Sequence, residues 1–160
     1  MSVTIRAAVL GDVRRLGVLN SCVQELHVAN RPDSFMPSDL DEVAEWFRTF
    51  LQSRSAHIWI AEEHGEFVGY VTSIVHERPE NPFCRPRRWC EIDQIAVDPR
   101  FRRRGIGSAL IQKAVATARA EGIAIVELGS WSFNEAAQGA FQKLGFVPKF
   151  VRWELRNDVP

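Results

Sequence analysis

The sequence has no charge imbalance: 20 lysines and arginines offset 20 aspartates and glutamates. A chain neutral overall carries no global bias toward nucleic acid or membrane surfaces, so neither is expected as a partner. Apolar runs long enough to cross a bilayer are missing too, since none approaches the roughly 20 residues required. A basic-then-apolar leader layout is not seen at the N-terminus, and a cytoplasmic protein is expected. Cysteine is scarce. Cys22, Cys84 and Cys90 are odd in number and lack Cys-x-x-Cys spacing, which fits reduced thiols better than a disulfide framework. Cys84, Cys90 and His76 scatter across a proline-rich segment, so they read as ordinary residues rather than metal ligands, and no metal is expected. Internal repeats and low-complexity tracts are likewise missing. The 160 residues suit one compact domain, 1–160, able to bury roughly two thirds of the surface its unfolded chain exposes.

Basic charge is instead local, and it surrounds one stretch. From Cys90 to Leu110 the chain reads as a strand, a short basic turn and the start of a helix. Ile92, Ile95, Ala96 and Val97 form an apolar run of strand length, closed by Pro99, which has no backbone donor. Beyond Gly105 and Gly107, Ile106, Leu110, Ala114 and Ala118 recur near helical spacing, with Gly122 as a stop. Such a crossing leaves the first helical amides unpartnered at the positive end of the helix dipole. Two glycines let a ligand approach the backbone, and Arg100, Arg102, Arg103 and Arg104 raise the potential. A phosphate is the natural guest. A Walker A loop is excluded because Ile106 and Gly107 do not supply its lysine and hydroxyl. A dinucleotide fingerprint would need a small residue where Leu110 stands. Glu127 lies at about the spacing of a ribose-binding acid, but the long charged turn Asp98 to Arg104 argues against that reading.

The remaining elements follow in order. Val3 to Arg6 alternates as a first strand. Asp12 stands at the N-cap of a helix carrying Val13, Leu16, Leu19, Val23 and Leu26, broken at Arg31–Pro37. Ser38 and Asp41 suggest the cap of a second helix through Leu51. His57–Ala61 and Phe67–Val75 form a hairpin about Glu63–Glu66. An irregular loop, Arg78 to Arg88, leads to the central strand and suggests a lid or acceptor-side contact. Ile123–Leu128 is a buried strand parallel to its predecessor. Asn134 caps a last helix that stops at Gly145, and Phe146–Pro148 and Phe150–Leu155 are expected to close the sheet.

The pattern Val97-x-Pro99-x-x-Arg102-x-x-Gly105-x-Gly107, together with Asn134-x-x-Ala137-x-x-x-Phe141-x-x-x-Gly145-Phe146, resembles the GCN5-related N-acetyltransferase superfamily. With the order of elements, the match spans nearly the whole chain. The resemblance implies an α/β fold (α+β in some schemes): a single domain with a central mixed, mostly antiparallel sheet, helices on both faces and a splayed pair of parallel strands. Acetyl-CoA would be the cosubstrate, its pantetheine arm seated in the splay. The implied cofactor-binding residues are Ile95, Ala96, Val97, Arg102, Arg103, Arg104, Gly105, Ile106, Gly107, Ser108, Asn134 and Phe141. A backbone N–H between Ile95 and Val97 would serve the oxyanion, and a wall with Phe35, Trp46 and Phe47 would face the acceptor, although such aromatics are more often core.

The implied reaction is acetyl (acyl) transfer to a primary amine of a small molecule or peptide, by direct attack in a ternary complex. Glu91 falls where histone-acetylating members place a glutamate base. Strict alternation would put Asp93 on the same face, and a bulge would separate the two. Phe141 stands where many members carry an acidic tyrosine. Tyr70, the sole tyrosine, and Ser132 are alternatives, and no acid is assigned. Cys84 and Cys90 as covalent nucleophiles are disfavoured because no histidine accompanies either at a recognisable spacing. The alternative function is a catalytically silent CoA-binding sensor or interaction module of the same fold. Members are often dimers, so the resemblance leaves a homodimer open.

Overall fold

The computed structural model describes residues 3–157. The chain divides into two compact units, Met1–Gly129 and Ser130–Pro160. The first holds one five-stranded sheet in the order β1-β2-β3-β4-β5. Its strands are β1 (Thr4–Ala7), β2 (Ala56–Glu63), β3 (Glu66–Arg78), β4 (Arg87–Val97) and β5 (Val126–Leu128). Neighbours from β1 to β4 pair antiparallel, and β5 alone pairs parallel, with β4. Helices α1 (Val13–Asn30) and α2 (Leu40–Gln52) lie between β1 and β2 in the chain, and α3 (Ile106–Ala120) between β4 and β5. This is the mixed, mostly antiparallel sheet that the motifs imply.

Alternation along the strands separates two cores. Val13, Leu16 and Leu19 of α1 and Ala44 and Phe47 of α2 pack on Ile58, Ile60, Tyr70 and Ala96 from one face of the sheet. Gly69, next to Tyr70, points the other way. A Cβ there would stand 2.9 Å from the Ala96 carbonyl and 3.2 Å from Leu110 Cδ1 of α3, so its missing side chain lets α3 close onto that face. Helices therefore cover both faces. Farther along, Cys90 packs with Ala118 and Ile123, flanked by Val75 and Val126.

Local chemistry explains most boundaries, with several corrections. The β2–β3 turn passes through His64 (φ 53°) and Gly65 (φ 81°), the left-handed pair that matches strand twist. The cap of α2 is Asp39, not Ser38: its carboxylate accepts from the amides of Asp41 and Glu42 at 2.9 and 3.0 Å. Asp12 does not cap α1 through its side chain; it accepts instead from Val9 N and from Arg6, which also bonds Glu62, tying the start of α1 to β1 and β2. The segment Arg78 to Arg88 is less irregular than expected, because β3 runs to Arg78 and β4 begins at Arg87.

In the second unit, α4 (Glu135–Lys143) is capped by Asn134, which accepts from Ala137 N, and ends before Gly145 (φ 90°). The expected closing strands do not form: Phe146–Pro148 and Phe150–Leu155 carry no strand pairing among the described residues. Val147 and Trp153 are 82% and 89% exposed. Alternating apolar residues favour a strand only where a neighbouring ladder accepts their backbone bonds, and Pro148 cannot donate one.

Candidate active site

β4 and the turn that leaves it carry most of the residues singled out by the sequence. Asp98 ends the strand, its amide donating to Val68 O at 2.9 Å, and its carboxylate caps the 3-10 turn Pro99–Phe101 through Arg100 N. Arg103 (φ 62°) and Gly105 (φ 79°) then adopt left-handed backbone. For a residue with a Cβ, as at Arg103, this conformation costs about 1 kcal/mol. Gly105 is the N-cap of α3, and the first helical bond runs from Ala109 N to Gly105 O. The amides of Ile106, Gly107 and Ser108 precede that bond and have no acceptor inside the helix.

Gly107 is informative because nothing in the protein demands a glycine there. Its φ is not positive, and an added Cβ would meet only Val97 Cγ2 at 3.7 Å and Ile95 Cδ1 at 3.9 Å. Gly105 is required by backbone conformation; Gly107 keeps the backbone bare. This turn fits a diphosphate.

The arginines divide by role. Arg100 is held by Asp98 at 2.8 Å and Arg104 by buried Glu63 at 3.2 Å, both with guanidinium groups over Phe101. Arg102 Nε donates to Val97 O at 3.3 Å. Among the described residues Arg103 alone of the four makes no ion pair or side-chain hydrogen bond.

The ladder also orients the amides of β4. Val97 pairs with Gly69, and the Asp98–Val68 bond makes that neighbouring pair the hydrogen-bonded one. Alternation then turns the N–H groups of Ile95 and Val97 away from β3, while that of Ala96 joins the β3 ladder. On the side they face, pairing with β5 ends at Ile92–Leu128, so β4 continues beyond it. This early end of the parallel ladder is the splay.

A β-bulge interrupts β4 at its midpoint: Thr72 pairs with Gln94 but Ser73 with Ile92, leaving Asp93 as the extra residue. Gln94 N donates to Thr72 Oγ1 at 3.0 Å beside the bulge. Glu91 and Asp93 thereby escape strict alternation but remain electrostatic neighbours. Asp93 reaches solvent but is crowded by neighbouring protein atoms. Desolvation by that crowding, and then the Glu91 charge, push its carboxyl above the usual range, while His76 pulls it back. Glu91 is 44% exposed at its side chain, with His76 Nε2 2.8 Å from its Oε2.

Other candidates fall out of reach of the chemistry. Tyr70 is fully buried, its hydroxyl donating to Gln94 Oε1 at 3.0 Å and accepting from Asn20 at 2.9 Å, and burial pushes its pKa well up. It holds a core network and is no exposed acid. Burial likewise raises the Cys90 thiol, which disfavours a thiolate nucleophile. Phe47 is core, set edge-on against Tyr70, whereas Trp46 is partly exposed and stacks on Phe50. Glu127 is paired with Arg87, so it is not a free acid for a ribose. Asn134 and Phe141 belong to the second unit, where Asn134 caps α4 and Phe141 meets Phe146 edge-on. Sequence reasoning considered His76 only as a metal ligand and overlooked Glu63 and Gln94. The hairpin register, which sets His76 opposite Trp89, would have brought His76 to Glu91.

A mixed sheet with an early-ending parallel pair and an amide-lined turn at the end of β4 defines an acyltransferase-type fold. The model of the acetyltransferase (GNAT) family matches residues 21–146, and the chain belongs to that family. Among curated relatives, an uncharacterized N-acetyltransferase of Methanocaldococcus jannaschii is 37% identical over 109 residues, covering 68% of this chain and 47% of the relative. Human N-acetylaspartate synthetase is 28% identical over 66% of this chain and 32% of its own length. The chain thus spans about half, or less, of the curated relatives it matches. In fold it resembles a tetramutant of the BH1408 protein of Bacillus halodurans, with a TM-score of 0.91 and 24% identity over 96% of this chain and 99% of that one. It also resembles the aminoglycoside N-acetyltransferase AAC(6')-Iy in complex with CoA, with a TM-score of 0.78 and 19% identity over 99% and 96%.

Proposed function

We propose that this chain, acting as one domain over residues 1–160, transfers an acetyl group from acetyl-CoA to a primary amine of a small molecule or peptide by direct attack within a ternary complex. The observation that carries this reading is the turn from Val97 to Ser108, where Gly107 leaves bare amides at the start of α3 although neither packing nor φ requires a glycine. Relatives named as N-acetyltransferases, and a fold neighbour in complex with CoA, support it. When bound, acetyl-CoA supplies an activated thioester. The amides of Ile106, Gly107 and Ser108 would hold its diphosphate, with Arg102 and Arg103 adding positive potential. Arg104, held by Glu63, supports the turn. The outward N–H groups of Ile95 and Val97 are the donors available to a carbonyl oxygen.

A lysine-like amine, with a pKa near 10.4, arrives protonated at neutral pH. Glu91, reachable by solvent one residue before the parallel ladder ends, takes that proton and leaves a neutral nucleophile. Phe141 offers no hydroxyl and Tyr70 is committed to Gln94, so the coenzyme departs without a protein acid, as its thiolate, and the second proton of the attacking nitrogen passes to that thiolate or to solvent. The same want of an acid favours one competitor, a CoA-binding module without chemistry. Among the described residues no helix is long and apolar enough to cross a membrane, and the reading places the reaction in the cytoplasm.

The test is free-thiol release from acetyl-CoA across a panel of amines, including aspartate, an aminoglycoside and a lysine peptide. Amine-dependent release is the expected result. Tight CoA binding with no acceptor consumed would favour the silent module.

A further inference from the structure

A carboxylate that must meet an incoming amine needs a fixed orientation, and an exposed glutamate on a strand has several rotamers of similar energy. Glu91 is not left to choose. Val75 and Cys90 turn toward the end of α3, so their neighbours His76, Trp89 and Glu91 share the opposite face of the sheet. His76 pairs with Trp89 across β3 and β4, and Glu91 is its diagonal neighbour. The imidazole stacks on Trp89 at 5.1 Å between centroids and 22° between planes. The Arg87 guanidinium lies 4.6 Å above Trp89, and Arg87 is itself paired with Glu127 of β5. A continuous stack therefore runs from Glu127 through Arg87, Trp89 and His76 to Glu91.

At its end, His76 Nε2 lies 2.8 Å from Glu91 Oε2, close enough for an ion pair but not aligned as a hydrogen bond. The two atoms already lie at hydrogen-bond separation, and catalytic contacts commonly align and tighten only once substrate is bound. Only one carboxylate oxygen is engaged, and the side chain remains 44% exposed, so the group is held and still accessible.

We infer that His76 is a positioning residue, aiming the Glu91 carboxylate at the acceptor nitrogen while Trp89 and Arg87 hold the imidazole in place. The inference rests on the proposed transfer and on Glu91 as its base. The proton passes from the acceptor ammonium to Glu91, leaving a neutral amine; no bond at His76 is made or broken. Its contribution is orientation, which acts on turnover more than on coenzyme affinity.

The experiment compares wild type, His76→Ala, His76→Gln, Glu91→Gln and the His76→Ala/Glu91→Gln double variant by thiol release from acetyl-CoA, with aspartate, kanamycin, an N-blocked lysine peptide or water as acceptor. His76→Ala is expected to lower kcat about tenfold with KM for acetyl-CoA unchanged. Glutamine, which can present an amide donor from the same strand position, should recover most of that loss. In the Glu91→Gln background the histidine substitution should cost nothing further. Wild-type turnover in His76→Ala, failure of glutamine to rescue, or an equal loss in both backgrounds overturns the inference alone. Wild type that binds CoA but releases no thiol with any acceptor overturns the proposed transfer, and the inference with it.

Discussion

The turn from Val97 to Ser108 and the corner formed by His76, Trp89 and Glu91 lie toward opposite ends of β4, and they are built differently. The turn is made of backbone: left-handed φ at Arg103 and Gly105, amides before the first helical bond, and a glycine that packing does not need. Its arginines mostly serve the protein itself, Arg100 on Asp98 and Arg104 on Glu63. The corner is made of side chains, each held by the next, and its backbone is ordinary ladder. A site built from backbone tolerates changes in most side chains but not in its glycines. A site built from side chains depends on register, since a slip of one residue would send His76 and Glu91 to opposite faces.

Four substitutions probe that contrast. Glu91→Gln should have the largest effect, lowering amine-dependent turnover about a hundredfold with little change in coenzyme affinity. A rate near wild type would remove Glu91 from the mechanism and leave the corner a structural ion pair. A carboxylate outside both regions gives the stability control. Asp12 is held below its ordinary 3.8 chiefly by its bonds to Arg6, so its stabilisation is complete above that value and is lost as pH falls through the folded value. Asp12→Asn should cost about 2 kcal/mol at pH 7, less at acid pH, as read by urea denaturation.

Gly107→Ala comes next. The fold accommodates the methyl group, so thermal unfolding should match wild type while CoA affinity falls about tenfold, or about 1.4 kcal/mol. Loss of stability without loss of affinity would show that the glycine serves packing. Asp93→Asn should have the smallest effect, and in the opposite direction to Asp12→Asn. The folded state raises the Asp93 carboxyl above 3.8, so ionisation opposes folding increasingly as pH rises from that value to the folded one. The variant should melt slightly higher than wild type at pH 7, with the advantage disappearing below the ordinary value. A lower melting temperature would mean that Asp93 is structural.

The same contrast explains what could be read before the structure. The turn announces itself in one dimension, because proline, glycine and the start of a helix are local signals; Pro99, Gly105 and Gly107 stand where the residues alone placed them. The bulge at Asp93 was inferable as a way to separate it from Glu91, and the ladder puts it there. His76 was not inferable in its role. Arg78 to Arg88 looked irregular from its prolines and arginines, which hid the continuation of β3 and β4 and with it the pairing that brings His76 beside Trp89. Phe150–Leu155 fails for a related reason: alternation describes a segment suited to a strand, but a strand also needs a partner ladder. The Ser38 and Asp39 discrepancy is only a shift of one residue between two good capping side chains.

Titration calorimetry of the folded protein with coenzyme A tests the central claim most directly. One-site binding by wild type, weakened in Gly107→Ala at an unchanged unfolding midpoint, is the predicted result. No binding to the folded wild type, or equal affinity in the two proteins, would contradict it.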